Sequence, residues 1–216
     1  MPTESDADDA AAFTSALARL KREGSNLLVV GTGEHAHAAV CHRLFGDDSQ
    51  PRQRTYVSAG PSTSGPPTDA TRISYTTTSR SAAAANPAPA SPEDDIDTLA
   101  ALRSAIANAV AAADRAAGGL AAAEFRLCLD SLYPLLEAHS QRELFRFLRA
   151  VTNEVAAVDG MAHYHLPLAY RDEPVQTVAP LFDGVVEVRV GPEGPQQRWY
   201  VADIDGPTGW LPVDPV

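Results

Sequence analysis

Gly31-Thr-Gly-Glu-His-Ala-His-Ala38 is the stretch of this chain on which the fold interpretation depends. The apolar run Ser25-Asn-Leu-Leu-Val-Val30 precedes it and predicts a buried strand, and Ala38–Phe45 follows it and predicts a helix. A strand, a glycine-containing turn and a helix form the context of the phosphate-binding P-loop, G-x-x-x-x-G-K-[ST]. Gly31 matches the first position of that pattern, so the sequence predicts an α/β fold with a turn of this kind.

The rest of the P-loop pattern is replaced. Ala36 stands at the second glycine, His37 at the lysine and Ala38 at the Ser/Thr. The lysine contacts the β- and γ-phosphates and the hydroxyl binds Mg²⁺, so both phosphate neutralisation and metal anchoring are compromised. Strand-turn-helix elements with a glycine are common, and this one identifies no function by itself.

The composition is strongly acidic, with a formal net charge of -11 over 216 residues. Lys21 is the only lysine, the other cations are arginines, and Asp outnumbers Glu. These biases are typical of a halophilic, haloarchaeal protein, because an acidic surface repels itself little where the Debye length is about 3 Å at 1 M salt. An acidic protein from a GC-rich genome would explain the arginines but not the aspartates. The acidity argues against non-specific nucleic-acid binding.

Cysteine use and hydropathy indicate a protein of the cytoplasm. Cys41 and Cys128 lie in apolar segments without a CxxC spacing, so we predict free, buried thiols in a reducing compartment. The start of the chain, MPTESDADDA, has no apolar region, and no run reaches about 18 apolar residues. We therefore expect neither a leader segment nor a membrane partner.

One main domain is predicted over residues 25–206. A disordered acidic N-terminus at 1–10 and a helix at 11–24 precede it, and a C-terminal tail follows at 207–216. Segments rich in Pro, Gly, Ser and Ala predict flexible loops, at 47–54, 59–71 and 79–91.

Helix signals are clearest in the second half of the chain. Ser91-Pro-Glu-Asp94 predicts a helix start, and the helix would end at Gly118-Gly119. Ser140 and Glu143 form a capping-box pattern that opens a strongly amphipathic helix. Its predicted buried stripe consists of Leu144, Leu148, Val151, Val155 and Val158. Phe145 and Phe147 fall off that stripe and could mark a second buried face or a partner surface.

Short apolar segments predict the strands. We expect Leu27–Val30, Leu127–Leu129 and Ala162–Leu166 to be interior strands of a mainly parallel sheet, because each is apolar on both faces. Val185–Val190 and Arg198–Ala202 predict a C-terminal β-hairpin.

Several of these segments resemble one protein class. Arg126-Leu-Cys-Leu-Asp-Ser-Leu132 is similar to the Walker B strand of KaiC-type RecA-like ATPases, and Leu181-Phe-Asp-Gly-Val-Val-Glu-Val188 is similar to a late strand of that branch. Together with Leu144–Leu148 and His163–Leu166, they resemble an uncharacterised haloarchaeal family of RecA/KaiC-like proteins with a degenerate P-loop, often labelled HTR-like. The resemblance covers about residues 25–205. It implies a three-layer RecA-like (P-loop NTPase-type) fold with helices on both faces of a mainly parallel sheet.

The resemblance also implies that the chemistry of the class is lost. In KaiC-type enzymes the strand after the P-loop helix ends in acids that position water, and Tyr56-Val-Ser-Ala-Gly60 contains none. We therefore expect no enzyme and no cofactor, but a regulatory or signalling protein that acts through a protein partner or as a homo-oligomer. The alternative is a nucleotide-binding protein or slow ATPase that holds ATP and Mg²⁺ at a vestigial site. That site would consist of Gly31, Gly33, His37 and Asp130.

Two candidate sites have competing interpretations. Asp130 could anchor Mg²⁺ through water, or it could be a strand-end carboxylate that accepts hydrogen bonds from the following turn. A third possible function is a metal-dependent hydrolase. It rests on histidine, cysteine and acidic side chains, some of which lie in pairs on one face of a predicted helix or strand. None of their spacings matches the zinc motif HExxH. We predict no metal site and isolated histidines instead. The metal candidates are Glu34, His35, His37, Cys41, His42, His163 and His165, with Asp130.

Apolar groups outside the predicted core suggest a contact surface. Phe145, Trp210 and Leu211 are the least explained by core packing, and they predict an interface if they are exposed and adjacent. Trp199 is predicted to pack within the hairpin, whereas Trp210 could either pack or dock a partner.

Overall fold

An eight-stranded sheet forms the centre of the computed structural model, which describes residues 4–46, 51–60, 69–76 and 96–213. The strands are β1 (Ser25–Val30), β2 (Gln53–Ser58), β3 (Thr71–Ser74), β4 (Phe125–Leu129), β5 (Met161–Leu166), β6 (Gly184–Gly191), β7 (Gly194–Val201) and β8 (Leu211–Pro212). The helices are α1 (Glu4–Glu23), α2 (Glu34–Phe45), α3 (Leu99–Ala117), α4 (Tyr133–Ala138), α5 (Gln141–Ala156) and α6 (Glu173–Val178), which continues as a 3₁₀ turn (Ala179–Leu181).

The sheet order is β3-β2-β4-β5-β1-β6-β7-β8. The first six strands in this order pair in parallel, and β6-β7 and β7-β8 pair antiparallel. The predicted α/β class, the mainly parallel sheet and the C-terminal hairpin are therefore confirmed. The three strands predicted to be interior, β1, β4 and β5, each have a neighbour on both sides.

Helices cover both faces of the sheet. Alternate residues of a strand point to opposite sides, and apolar side chains lie on both sides of the central strands. On one face, Leu28 and Leu127 belong to a core with side chains of α3, α4, α5 and α6. On the other face, Leu27 and Val29 pack with Ala16 and Leu20 of α1 and with α2. A fully buried leucine or valine contributes roughly 1.5–3 kcal/mol by leaving water, so these two cores dominate the stability.

The capping box predicted for α5 is present. Ser140 Oγ accepts from the Glu143 backbone N–H, and the Glu143 carboxylate accepts from the Ser140 backbone N–H at 3.0 Å. The helix ends at Ala156, and Asp159 in the following turn has a left-handed φ of 48°. Of the two alternatives left open for Phe147, the structure shows burial: the residue is only 5% exposed and lies in the main core. It follows Leu144 by three residues, which places it on the buried face.

The boundaries of α3 can be compared with the helix predicted from the sequence. α3 begins at Leu99, with Thr98 Oγ1 accepting from the Ala101 N–H, and the Ser91-Pro-Glu-Asp94 segment, for which the sequence predicts a helix start, lies outside the described residues. Ile96 forms a parallel bridge with Tyr75, so the chain is still extended immediately before this helix. The end at Gly118 is as predicted, in the left-handed conformation with φ 69°.

Regular elements lie near both ends of the described part of the chain. α1 begins at Glu4, where the sequence predicts disorder up to residue 10 and a helix from residue 11. At the other end, Leu211–Pro212 of the predicted tail adds β8 to the sheet. The predicted loops lie largely outside the described residues, at 47–50, 61–68 and 79–91, although 53–54 belong to β2. Among the described helices, none is long and apolar enough to cross a membrane.

Candidate functional site

The turn between β1 and α2 is shorter than a phosphate loop. It contains only residues 31–33, because α2 begins at Glu34. The backbone N–H groups of Ala36 and His37 both donate to the Gly33 carbonyl at 3.0 Å, as in an ordinary first helical turn. In a P-loop, backbone N–H groups point at the phosphates. These two N–H groups are instead engaged within the helix.

Gly31 has a packing role of its own. Its φ is +123°, and its N–H donates to the Leu168 carbonyl at 2.7 Å. A Cβ at this position would lie 2.2 Å from the carbonyl oxygen of Val188 in β6. Gly33, in contrast, has a φ of -89°, and a Cβ there would make an ordinary contact with Val190 at 3.4 Å. The fold therefore requires glycine at position 31 but not at position 33.

His37 points into the protein from the first turn of α2. Its Nδ1 lies 2.9 Å from Nδ1 of His165, and its Nε2 lies 2.8 Å from the carbonyl oxygen of Gly31. Burial, and secondly the neighbouring His165, lower the pKa of His37 to about 4, so the ring is neutral near pH 7. The residue at the lysine position of the P-loop pattern thus carries no charge for a phosphate.

Asp130 closes the carboxyl end of β4 and is buried. Its Oδ2 accepts from the Tyr56 hydroxyl at 3.0 Å, and its Oδ1 accepts from the Ala59 N–H at 3.2 Å. The carboxylate therefore ties the end of β4 to the end of β2. Of the four predicted nucleotide-site residues, the structure brings Gly31, Gly33 and His37 into contact, and it gives Asp130 a separate hydrogen-bonded group.

A second group of polar side chains is buried between α2 and the sheet. Cys41, Cys128, His163 and His165, hereafter the Cys/His cluster, offer four ligand atoms that all lie within 4.8 Å of one another. The two sulfur atoms are 3.5 Å apart, and His163 Nε2 lies 3.4 Å from Cys41 Sγ. Each of the four residues is at most 5% exposed. Both cysteines are free and buried, as predicted.

The strand register explains why these residues meet. Cys128 of β4 is directly opposite His163 of β5 in a parallel pair, so both point to the same face. His165 lies two residues further along β5 and shares that face. α2 packs over it and places Cys41 one helical turn after His37.

The electrostatics favour the metal-binding forms of Cys41 and His163, whereas they oppose ionisation of Cys128. The hydrogen bond with Cys128 and then the neighbouring His163 hold the pKa of Cys41 well below its usual range. Burial raises the pKa of the Cys128 thiol, with its hydrogen bond to Cys41 as the second cause. Burial also lowers the pKa of His163, which keeps this ring neutral. Thiolate and neutral imidazole are the forms that bind metal ions.

Local spacing in the sequence predicts some of the neighbours within the Cys/His cluster. The His37–Cys41 spacing of four residues predicts one same-face pair on a helix, and the His163–His165 spacing of two residues predicts another on a strand. Cys128 was missed as a neighbour, although it shares a strand face with Asp130 two residues later. The mixed site considered with Asp130 is not formed, since Asp130 faces Tyr56 and Ala59.

A cationic cavity of about 220 Å³ lies near the amino ends of the central strands. Lys21, Arg43, Arg52 and Arg126 contribute to its wall, together with apolar side chains such as Trp199. Backbone carbonyls hold two of these arginines: Arg52 and Arg126 both donate to the Ala123 carbonyl, at 2.7 and 3.0 Å. None of the four predicted nucleotide-site residues lines this cavity.

Aromatic and arginine side chains stack on the face of β6 and β7 that points away from α2. Trp210 lies between Arg189 and Arg198, whose guanidinium carbons are 3.9 and 4.6 Å from its ring centroid. Tyr200 stacks on Tyr170 with centroids 3.8 Å apart. We call these five residues the hairpin face; Trp210 and both tyrosines are half-buried.

The three residues proposed as a patch are not fully exposed. Phe145, Trp210 and Leu211 are each half-buried, and Trp210 packs against the arginines of the hairpin face. Trp199 is buried and packs near Phe13, with ring centroids 5.8 Å apart, as predicted for a packing residue.

Residues 24–188 match the model of a family of unknown function, DUF7504. No curated protein matches the chain. The matched region begins immediately before β1 and ends within β6, so it contains the turn after β1, Asp130 and the whole Cys/His cluster. Because it spans well over half of the sequence, the chain belongs to the DUF7504 family.

Proposed function

We propose that this protein is a non-catalytic, degenerate RecA/KaiC-like protein that acts through contact with a protein partner, in regulation or signalling. The observation that carries the proposal is that the side chains expected to contact a nucleotide are hydrogen-bonded within the protein. Both ring nitrogens of His37 and both carboxylate oxygens of Asp130 have protein partners. The central position of β1, β4 and β5 and the helices on both faces support the RecA-like assignment.

The alternative functions have weaker support. A slow ATPase would need His37 to release two buried contacts and to carry charge, which its lowered pKa opposes. A metal-dependent hydrolase would need a ligand position open to water and substrate. The Cys/His cluster is buried and offers four protein ligands to one point, so it lacks that opening.

The hairpin face is the surface that we propose for the partner. Trp, Tyr and Arg are the residues most enriched among binding hot spots, and this face contains all three types in one stack. Arg189 favours an acidic partner surface, whereas Arg198 is paired with Glu187 at 2.6 Å within the chain. A second copy of this chain, with a formal net charge of -11, provides such an acidic surface.

ATP turnover tests the loss of catalysis. We expect purified protein in molar KCl to hydrolyse ATP no faster than the buffer control. A turnover of about 1 s⁻¹ or more, as in ordinary enzymes, would refute the proposal. The triple variant Ala36→Gly/His37→Lys/Ala38→Thr restores the P-loop residues, and MgATP binding regained by this variant would support the alignment.

The partner surface is tested separately by the mass of the protein in solution. Light scattering across a concentration series should show self-association that Trp210→Ala abolishes, with thermal stability nearly unchanged. Glu173→Ala on α6 is the control, since it changes an exposed side chain outside the hairpin face. A strictly monomeric wild type would exclude the second copy as the partner, and equal loss in both variants would exclude this face.

A further inference from the structure

The Cys/His cluster has the dimensions of a single tetrahedral metal site. We propose that Cys41 Sγ, Cys128 Sγ, His163 Nε2 and His165 Nε2 bind one Zn²⁺ ion. With Zn–S bonds of about 2.3 Å and Zn–N bonds of about 2.0 Å, a tetrahedron places two sulfurs about 3.8 Å apart and a sulfur and a nitrogen about 3.5 Å apart. The corresponding separations here are 3.5 Å and 3.4 Å. Small side-chain shifts would complete the coordination.

The hydrogen bonds of His37 fix which nitrogen of His165 is available. The Gly31 carbonyl can only accept, so His37 Nε2 carries the hydrogen and donates to it at 2.8 Å. In a neutral His37 ring Nδ1 then accepts, and it receives the Nδ1–H of His165 at 2.9 Å. The lone pair of a neutral His165 therefore lies on Nε2, and this atom is buried with no hydrogen-bond partner among the described residues.

This pattern is the one that surrounds a metal-bound histidine. A ligating imidazole usually donates its second N–H to a carbonyl, a carboxylate or water, which sets its tautomer and orientation. Here His165 donates a hydrogen bond to His37, and His37 in turn donates one to the Gly31 carbonyl. A bound ion would satisfy the otherwise unpartnered Nε2 of His165, whose burial is costly without a partner. His37 is thus a positioning residue and not a ligand.

Charge balance also favours a divalent ion. Two thiolates and two neutral imidazoles around Zn²⁺ give a site of zero net charge, which avoids the cost of burying an uncompensated charge. Two sulfur and two nitrogen ligands in a tetrahedron are typical of zinc. A two-iron cluster would place the cysteine pair and the histidine pair on different metal ions. Four ligand atoms that all lie within 4.8 Å of one another instead favour a single ion.

The site would be structural, because its four positions are filled by protein atoms. It would fasten α2, through Cys41, to β4 and β5, which carry the other three ligands. In ATPases with an intact P-loop, bound phosphate engages the start of the corresponding helix. We infer that in this chain a metal ion holds that helix on the sheet. The inference is independent of the proposed function.

Metal content and a cobalt spectrum test the site in the wild-type protein. Protein purified under reducing conditions without chelator should contain about one zinc per chain. After replacement by Co²⁺ it should show the visible absorption of tetrahedral cobalt and a near-ultraviolet thiolate-to-cobalt band. Protein that binds no zinc or cobalt while both thiols titrate as free would overturn the proposal. Recovery of only a Cys41–Cys128 disulfide, with no metal after reduction, would also overturn it.

Variants distinguish a metal site from a packed core. Cys128→Ser should abolish the thiolate-to-cobalt band or reduce it strongly. His37→Ala should weaken metal affinity by about 10–100-fold, as loss of an outer partner does. His35→Ala is the matched control, because His35 is exposed on the same helix and should leave the affinity unchanged. Equal metal affinity in wild type and Cys128→Ser would contradict the assignment.

A chelator comparison covers the case in which Cys128→Ser folds poorly. A strong chelator should lower the melting temperature of wild type, because metal binding contributes to folding free energy. The same chelator should leave the melting temperature of Cys128→Ser unchanged. If wild type were equally stable with and without the chelator and contained no metal, the cluster would be a buried thiol–imidazole network and the proposal would fail.

Discussion

Gly31→Ala should destabilise the protein strongly, even though no ligand is involved. The alanine Cβ would lie 2.2 Å from the Val188 carbonyl oxygen, where real contacts stay above 3.0 Å, so β1 or β6 must move by about 0.8 Å. The residue would also keep a φ of +123°, a conformation that costs an L-residue about 1–3 kcal/mol. Backbone displacement in a packed core adds about 1–3 kcal/mol. We expect a total loss of roughly 2–6 kcal/mol.

Thermal unfolding in molar KCl measures this loss against a matched variant. For a chain of this size, each 1 kcal/mol shifts the melting temperature by about 2–4 °C, so Gly31→Ala should melt roughly 4–24 °C lower. Gly33→Ala should change stability by less than about 1 kcal/mol, because its φ is ordinary and the added methyl meets no close contact. Equal stability of Gly31→Ala and wild type would refute the packing role of Gly31.

Three further predictions concern the cores and the surface. Tyr164→Phe should cost about 1–3 kcal/mol in chemical denaturation, because it removes a 2.9 Å hydrogen bond to a buried amide oxygen. Tyr133→Phe, the same change at a 39% exposed position, should be nearly neutral; equal losses would contradict the burial argument. Phe147→Ala should lose about 3–5 kcal/mol by the same assay and Phe145→Ala at most half as much, and the reverse order would show that we misassigned the buried face of α5. Circular dichroism should show loss of structure on dialysis from molar KCl into dilute buffer, since the Debye length grows to about 10 Å at 0.1 M, and equal structure in both would undercut the halophilic interpretation.

The parts of the fold that local patterns specify were predictable. Apolar runs located the interior strands, and the Ser140–Glu143 pair located the start of α5, because burial and capping act over a few neighbouring residues. The extended conformation at Ile96, before α3, was not predictable in the same way. It depends on Ile96 pairing with Tyr75, a strand contact between segments 21 residues apart in the chain.

The Cys/His cluster shows where local patterns cease to be informative. Each same-face pair could be recognised from its spacing, but Cys128 meets His163 only because β4 and β5 pair in parallel with these residues opposite each other. A one-residue change in register would turn one of the two side chains to the other face. Sheet order and register are tertiary properties, so the sequence offered the ligands without showing that they converge.

Thermal stability with and without MgATP most directly tests the central proposal, that this chain is a degenerate RecA/KaiC-like protein that binds no nucleotide. In molar KCl we predict the same melting temperature in the presence and absence of MgATP, because His37 and Asp130 are engaged inside the protein. A ligand present at a hundred times its Kd would add about 2.7 kcal/mol. At about 2–4 °C per kcal/mol, that corresponds to a rise of roughly 5–11 °C. A rise of this size that saturates with MgATP concentration would contradict the account.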